Sequence, residues 1–274
     1  MSEQATRSRR LVVAVDATSP EPVLELALLA GGPAAELLGV FVEDVRLLEH
    51  ARSRLAREVL LAGGERPLEQ AAVERRLRAQ SAHARRLFEA AAARRGITPA
   101  FEVARGHLAV ELARLAAEAD ALVVALAAAG RPLWDRLAIR ELVRAPLRTL
   151  LLAREGWARG GTIMVVIDDP DRAPTALAAA SRLAEASGSA LDVLLVGPAR
   201  RERARLEALL AGAERPAVTL VEVGAAVLDP VALARAARSR GVRLLVIPAA
   251  RVEVEDLACE LLARAPSALL LVRD

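Results

Sequence analysis

The sequence contains one pattern twice, and this repetition limits the architectures that the chain can adopt. Residues 11–30 run from an apolar stretch through an aspartate and a turn into an Ala/Leu-rich segment, and residues 163–184 follow the same course. The ends of the two copies also correspond, because Arg-Ala-Pro at 144–146 and again at 264–266 precedes a run of leucines. Matching landmarks at both ends indicate a tandem duplication rather than one large domain.

Both copies alternate short, continuous apolar runs with longer helical patterns. Such runs are typical of parallel strands that are covered on both faces. We predict an α/β fold of two tandem, doubly wound, five-stranded parallel-sheet domains, residues 1–155 and 161–274, separated by a glycine-containing linker. The first domain carries a helical insert at about residues 45–95, broken at Gly63-Gly64 and Pro67, and the equivalent segment of the second domain is much shorter.

The charge composition argues against a nucleic-acid partner. All 38 basic residues are arginine, and against 35 acidic residues they leave a net charge of +3. The pI of about 10.4 reflects the scarcity of groups that titrate between about pH 9 and 12, not a strongly basic surface. Because only 2% of the residues are aromatic and could stack on bases, we expect no nucleic-acid binding. The arginines of the helical pattern at 73–95 are expected to form a solvated face.

The sequence also lacks membrane and redox signals. No apolar stretch approaches the roughly 18 residues that a membrane span requires, and the polar residues 1–10 do not resemble a signal peptide. We therefore expect a cytoplasmic protein with no membrane partner. Cys259 is the single cysteine, so no internal disulfide is possible, and its apolar helical context predicts an inert, partly buried thiol.

Four landmarks recur in the same order in both copies: an Asp at the end of the first strand, a Gly before the third helix, an acid or Arg-Gly before the fourth strand, and Arg-Ala-Pro before the fifth. In the first copy they are Asp16, Gly106, Ala119-Asp120 and residues 144–146. In the second copy they are Asp168, Gly224, Arg240-Gly241 and residues 264–266. This ordered set resembles the universal stress protein family in its tandem form, over nearly the whole chain. The resemblance implies that family's adenine nucleotide alpha hydrolase-like fold and a stress-response role.

Nucleotide-binding members of that family carry a loop after the fourth strand, Gly-x2-Gly-x9-Gly-Ser/Thr, whose glycines let the backbone approach phosphates at a helix N-terminus. Here the corresponding segments are residues 125–136 and 248–256, and both lack the glycines of that loop. Asp135-Arg136 and Glu255-Asp256 stand at the Gly-Ser position, where a carboxylate would occupy the helix start and repel a triphosphate. We therefore predict degenerate nucleotide sites and no cofactor. The alternative is ATP or AMP held by one half, with Arg131 or Arg251 replacing the loop's phosphate contacts.

The resemblance also locates the candidate pockets at the ends of the strands. The candidate residues are Asp16, Ala17, Ala125 and Arg131 in the first half, and Asp168, Asp169 and Arg251 in the second. The Asp after the first strand would approach the ribose or base, and its other interpretation is a cap of the turn and the following helix. The acids at 168–171 are also interpreted as caps, because no His or Cys stands at ligand spacing, and we predict no metal site.

No catalytic constellation is recognisable. His50, His83 and His107 share no ligand spacing and neighbour no nucleophile, and no Ser/His/Asp, Cys/His or paired-carboxylate set can be assembled. The sequence therefore predicts a non-enzymatic stress-response protein that acts through protein contacts or an unidentified small ligand. The alternatives are a stress sensor that binds ATP or AMP in one half, and a hydrolase or nucleotidyl transferase on the same fold.

The last strand of each half is expected to find a partner. Residues 149–153 and 268–272 are apolar, and an unpaired apolar edge strand favours aggregation. Family members that resemble this chain commonly pair antiparallel through that strand. We therefore expect an intramolecular pseudo-dimer, with a homodimer as the alternative, and an unidentified protein partner.

Overall fold

The computed structural model describes residues 9–16, 20–32, 34–53, 56–59, 63–126, 134–154, 157, 160–210, 218–222, 228–249 and 254–273. Its strands are β1 (Arg10–Ala14), β2 (Glu36–Asp44), β3 (Arg57–Val59), β4 (Glu65–Pro67), β5 (Ala100–Gly106), β6 (Ala121–Leu126), β7 (Thr149–Arg154), β8 (Thr162–Ile167), β9 (Ala190–Leu195), β10 (Val218–Glu222), β11 (Val242–Pro248) and β12 (Ala268–Val272). Its helices are α1 (Glu21–Gly31), α2 (Val45–Arg52), α3 (Gln70–Ala93), α4 (Leu108–Ala116), α5 (Trp134–Arg144), α6 (Ala173–Ser187), α7 (Arg203–Leu210), α8 (Pro230–Ser239) and α9 (Val254–Arg264). Short 3-10 turns precede α6 at Pro170–Arg172 and α7 at Gly197–Glu202.

Ten strands form one continuous sheet in the order β10-β9-β8-β11-β12-β7-β6-β1-β2-β5. Read outward from the centre, the two halves have the same strand order, and every pairing within a half is parallel. The two halves meet where β7 pairs antiparallel with β12, with Leu152 opposite Leu269 and Thr149 opposite Val272. The predicted α/β fold with a doubly wound sheet is confirmed. The last strands of the two halves are neighbours within one chain, and a pairing between two copies of the chain stays a prediction.

Each face of the sheet carries one core that continues from the first half into the second. Because side chains alternate along a strand, Leu151 and Leu270 point to one face while Leu150 and Leu269 point to the other. Helices α1, α3 and α6 cover the first face, and α4, α5, α8 and α9 cover the second. In the described part of the chain, no helix is long and apolar enough to cross a membrane.

The insert of the first half differs from its prediction in the middle. Helices α2 and α3 lie where helical structure was predicted, but residues 57–59 and 65–67 form the antiparallel hairpin β3–β4. Gly63 and Gly64, next to β4, have φ angles of +85° and +93°, which reverse the chain instead of breaking one long helix. Glu58 then forms ion pairs with Arg66, at 2.8 Å, and with Arg76 of α3. Arg76 first and Arg66 second lower the pKa of Glu58, so the carboxylate stays charged where it holds the hairpin to α3.

Helix α3 packs on the sheet through Phe88, and Gly39 of β2 makes room for it. A Cβ atom at Gly39 would lie 2.5 Å from Cε1 of Phe88 and 3.0 Å from Cδ2 of Phe101. The two rings are tilted with centroids 6.2 Å apart, and the Arg85 guanidinium lies 5.0 Å from the Phe101 centroid. The glycine is therefore required by the close approach of an aromatic ring to the strand.

The linker between the halves is fixed by a buried tryptophan. Trp157 is 6% exposed, packs into the core beneath α1 and α6, and donates a hydrogen bond from Nε1 to the carbonyl of Arg243 at 3.0 Å. Gly161, also in the linker, has φ of +79°, and a Cβ there would lie 2.8 Å from the Gly241 carbonyl. Trp157 and Gly161 therefore pack against residues of the second half.

We predict that Trp157 stabilises the whole chain. Trp157→Phe keeps a ring but loses the indole donor, and we expect a cost of about 1 to 2 kcal/mol in the free energy of unfolding. Trp157→Ala also leaves a cavity, and we expect a cost of roughly 3 to 5 kcal/mol. Urea unfolding followed by circular dichroism measures both, with Leu137→Ala, at a side chain that is 56% exposed, as control. An alanine variant as stable as the control would show that the linker does not contribute to the core.

Candidate functional site

The candidate site in each half lies at the carboxyl edge of the sheet, where the first strand ends. Strand β1 lies between β2 and β6, and β8 lies between β9 and β11. The helices that follow β1 and β8 are α1 and α6 and belong to one core, whereas the helices that follow the neighbouring strands β6 and β11 are α5 and α9 and belong to the other. A crevice opens at such a switch point, and ligands of open α/β sheets bind there.

In the first half, two of the four predicted residues lie at this edge on neighbouring strands. Asp16 follows β1 and is half-buried, and Ala125 lies in β6 opposite Ala153 of β7. Because β1 and β6 are paired up to Ala14 opposite Val124, Asp16 and Ala125 belong to the same end of the sheet. Ala17 and Arg131 lie outside the described residues.

In the second half, the two consecutive aspartates have different environments. Asp168 follows β8 and is buried, with 7% of its surface exposed. Asp169 caps the following 3-10 turn, since its Oδ1 accepts a hydrogen bond from the Asp171 backbone N–H at 3.0 Å, and it forms an ion pair with Arg172 at 3.6 Å. Asp169 therefore has the capping role that the sequence suggested. Arg251 lies outside the described residues.

The third acid of residues 168–171 is also paired with a protein group. Asp171 forms an ion pair with Arg205 at 3.4 Å. Among the described residues, no group of three or more His, Cys, Asp or Glu side chains could hold a metal ion. The arrangement of residues 169–171 is that of a helix start closed by its own side chains.

Two further helices begin at the carboxyl edge with a capping aspartate. Asp44 accepts a hydrogen bond from the Arg46 backbone N–H at 3.0 Å before α2. Asp229 accepts hydrogen bonds from the backbone N–H groups of Val231 at 3.0 Å and Ala232 at 3.2 Å before α8. Each bond satisfies a donor that would otherwise be available to an anion.

At α4 the acid is Glu111, which the sequence analysis did not single out. A Cβ atom at Gly106 would lie 2.6 Å from Oε1 of Glu111, so the carboxylate lies directly against this glycine. Glu111 is also paired with Arg114 at 2.9 Å. The signal in the sequence was an acid in the first turn after a glycine, which favours a helix N-terminus.

The acids at the start of α9 contact the other half of the chain. Glu255 accepts a hydrogen bond from Nε of Arg144 at 2.7 Å, and Asp256 forms an ion pair with Arg140. Both arginines belong to α5, and Glu255 raises the pKa of Arg144, chiefly through this hydrogen bond. Two arginines of the first half therefore offset the charge of these acids, and the predicted repulsion of a phosphate stays a prediction.

The corresponding start of α5 is described only in its backbone. Asp135 and Arg136 lie in the first turn of α5, but their side chains lie outside the described part of the structure.

The three histidines and the cysteine do not join the candidate site. His50 lies on α2, His83 on α3 and His107 at the N-cap of α4, and all three are exposed. His50 Nδ1 lies 2.6 Å from the carbonyl of Arg46. Cys259 lies on α9 and is buried, with 7% of its surface exposed, so the predicted burial of its thiol is correct.

The fold matches three solved structures over almost its whole length. A universal stress protein from Archaeoglobus fulgidus DSM 4304 superposes with a TM-score of 0.69 at 11% sequence identity, covering 98% of this chain and 97% of that chain. A functionally unknown protein, PA1789 from Pseudomonas aeruginosa PAO1, gives 0.57 at 16% identity, covering 99% and 95%. The cytoplasmic domain of a prokaryotic cation chloride cotransporter gives 0.52 at 14% identity, covering 96% and 95%. No protein-family model and no curated protein matches the sequence. The chain therefore has the fold of universal stress proteins.

We predict that Cys259 is unreactive and dispensable. Its thiol is buried, so a thiol reagent must wait for local opening of α9, and labelling of the native protein should be slower than labelling of the urea-unfolded chain by about a hundredfold or more. Cys259→Ala should keep the urea midpoint close to that of the natural sequence. Native and unfolded labelling at equal rates would contradict this prediction.

We also predict that the ion pair between α5 and α9 contributes to the contact between the halves. Arg144→Glu and Glu255→Arg should each lower the urea midpoint, and the double variant should recover most of the loss because the pair is restored in reverse. The matched control is the pair Arg203–Glu207, which lies 2.8 Å apart within α7. Its single reversals should change the midpoint less, since an exposed pair within one helix is worth little. A double variant at 144 and 255 that shows no recovery would argue against the contact.

Proposed function

We propose that this protein is a non-enzymatic, cytoplasmic stress-response protein built from two tandem universal stress protein-like units. Its crevices at Asp16 and Asp168 do not bind ATP in the manner of nucleotide-binding family members. It acts through contacts with a protein partner or an unidentified small ligand. The fold match supports the comparison with universal stress proteins. The environment of the helix N-termini supports the proposed loss of nucleotide binding.

The observation that carries the proposal is the first turn of α9. A bound phosphate in this kind of fold uses the free N–H groups and the positive dipole end of the helix that follows the fourth strand. Here that turn holds Glu255 and Asp256, which pair with Arg144 and Arg140 of α5. A phosphate would have to displace carboxylates that are already compensated, and the exchange would break contacts between the two halves.

The other helix starts at this edge support the same conclusion. Asp44, Asp169 and Asp229 each accept at least one backbone hydrogen bond, and Glu111 lies against Gly106. A triphosphate needs several converging hydrogen-bond donors, and in this structure protein carboxylates already accept hydrogen bonds from some of those donors. The crevices are therefore better suited to a ligand without a polyphosphate, or to no ligand.

The second candidate function is a stress sensor that binds ATP or AMP in one half. It is favoured by the position of Asp16 and Asp168, each of which follows the central strand of its half at the switch point. In that case Arg131 or Arg251 would supply the phosphate contacts that the missing glycines do not. The two candidates differ in one measurable property, which is nucleotide affinity.

We predict that Mg-ATP and AMP give no saturable heat below millimolar concentration in titration calorimetry. Native mass spectrometry of freshly purified protein, with a denatured parallel sample, should likewise release no nucleotide and will report the oligomeric state. Changing Asp135-Arg136 to Gly-Ser should not restore binding, since the loop before it is also short and lacks its other glycines.

The contrary result is a micromolar affinity that is lost in Asp16→Ala or in Asp168→Ala. Each variant is the control of the other, because a single functional pocket should respond to only one of them. Asp171→Ala serves as the control for Asp168, since its side chain is 83% exposed and lies three residues further along the chain. Tight binding created by the Gly-Ser change alone would show a pocket blocked only by charge, and the sensor function would then be the better one.

A further inference from the structure

A groove lies between the two halves on the face covered by α1 and α6. It has a volume of about 700 Å³, within the range of small-molecule sites. Its floor is the start of β1, β6 and β7 and the end of β12, and its walls are the end of α1 and one side of α6. Neither Asp16 nor Asp168 lines the groove, so it is separate from the two crevices.

Four arginines from different elements line this groove, with one acid. Arg9 precedes β1, Arg148 precedes β7, Arg182 lies on α6 and Arg273 follows β12. The acid is Asp120, whose Oδ2 accepts a hydrogen bond from the backbone N–H of Arg10 at 3.0 Å. Four cations and one anion give the described lining a net side-chain charge of +3.

Two of the arginines are held in place by backbone carbonyls. Arg9 donates to the Ala30 carbonyl at 2.7 Å, near the end of α1. Arg273 donates to the carbonyl of Leu147 at 3.1 Å and to those of Val143 and Ala145, at the end of α5. These bonds orient both guanidinium groups without neutralising them, because none of the acceptors carries a full charge.

The other two arginines have no such partner. Within the described part of the chain, neither Arg148 nor Arg182 forms an ion pair or a side-chain hydrogen bond. Burial first, and then repulsion from Arg9, lowers the pKa of Arg182, while Glu185 on the same helix opposes this effect. Burial also lowers the pKa of Arg273. The groove thus concentrates positive charge that Asp120, the one carboxylate of its described lining, offsets only in part.

The floor between these charges is apolar. Leu11, Leu151 and Leu270 of the sheet lie beneath the groove and are at most 1% exposed, so the apolar surface open to a ligand is on the α6 wall, at Pro174 and Ala178. Guanidinium groups bind phosphate in a two-pronged geometry, and exposed apolar residues beside them can cover a hydrocarbon or aromatic body. The lining therefore combines positive charge with an apolar surface, and one ligand that has both a phosphate and an apolar body could contact the two together.

We propose that this groove binds an organic phosphate, a molecule with a doubly charged phosphate head and an apolar body. The head lies between Arg148 and Arg182, with Arg9 and Arg273 adding positive potential, and the body lies against Pro174 and Ala178 of α6. The net charge of +3 favours a phosphate monoester over a monocarboxylate, which carries half the charge. The site requires both halves, because α6 and β12 come from the second half and β1, β6 and β7 from the first.

The test uses the full chain and 1-naphthyl phosphate, whose fluorescence reports binding. We expect one molecule per chain, with inorganic phosphate alone and 1-naphthol alone each binding at least about tenfold more weakly, since each lacks one half of the recognition. Arg182→Gln and Arg148→Gln should each weaken binding by about tenfold to a hundredfold, the usual range for a charged hydrogen bond. Because neither side chain has a described partner, both variants should unfold at the urea midpoint of the natural sequence.

The matched control is Arg86→Gln, which removes the same charge from an exposed position on α3 where the described residues provide no ion pair. It should leave the affinity for 1-naphthyl phosphate unchanged, as should Asp16→Ala and Asp168→Ala.

Equal weakening of binding by Arg86→Gln would identify non-specific attraction, and loss of binding in Asp168→Ala would place the probe in the crevice. Naphthol binding as tightly as its phosphate would remove the role of the arginines. A change of oligomeric state in Arg182→Gln, measured by analytical ultracentrifugation, would assign the groove to a second copy of the chain. Each of these four results overturns the proposal, and only the loss in Asp168→Ala would also bear on the proposed lack of nucleotide binding in that crevice.

Discussion

The rest of the structure depends on the antiparallel pairing of β7 with β12, because this is the point at which two five-stranded halves become one ten-stranded sheet. Leucines at 150–152 and 269–271 are buried on alternating faces of the two strands. An apolar strand left at an edge would expose both its side chains and its unpaired backbone groups, so each of the two strands covers the edge of the other. The cores on both faces then run through this junction without interruption.

The same pairing determines which helices meet on each face, and the two faces differ in charge. On one face α5 lies against α9, and the acids of α9 are compensated by arginines of α5. On the other face α1 contacts α6, and a groove remains whose arginines have no described acid as an ion-pair partner. One face is therefore closed by matched charges, while the other keeps unmatched positive charge around an apolar floor. This difference places the proposed ligand between α1 and α6 and not between α5 and α9.

Much of the fold could be predicted because it follows from local patterns. Strand β12 covers the predicted run 268–272 and β7 extends the predicted run 149–153 by one residue, since each is an uninterrupted apolar run. The hairpin β3–β4 could not be predicted in this way, because its strands have three residues each and are held by Glu58 contacts with Arg66 and Arg76. The glycines near Trp157 indicated a linker in the sequence. The hydrogen bond from Trp157 to Arg243 could not be predicted, because the two residues are 86 positions apart.

In the candidate site, too, local contacts could be predicted from the sequence and distant contacts could not. Capping by Asp169 depends on the next few residues and was recognisable from the sequence. The pairing of Glu255 with Arg144 joins positions 111 residues apart, and a sequence without coordinates gives no reason to connect them. The groove is the extreme case, since its four arginines come from four segments that only the β7–β12 pairing brings together.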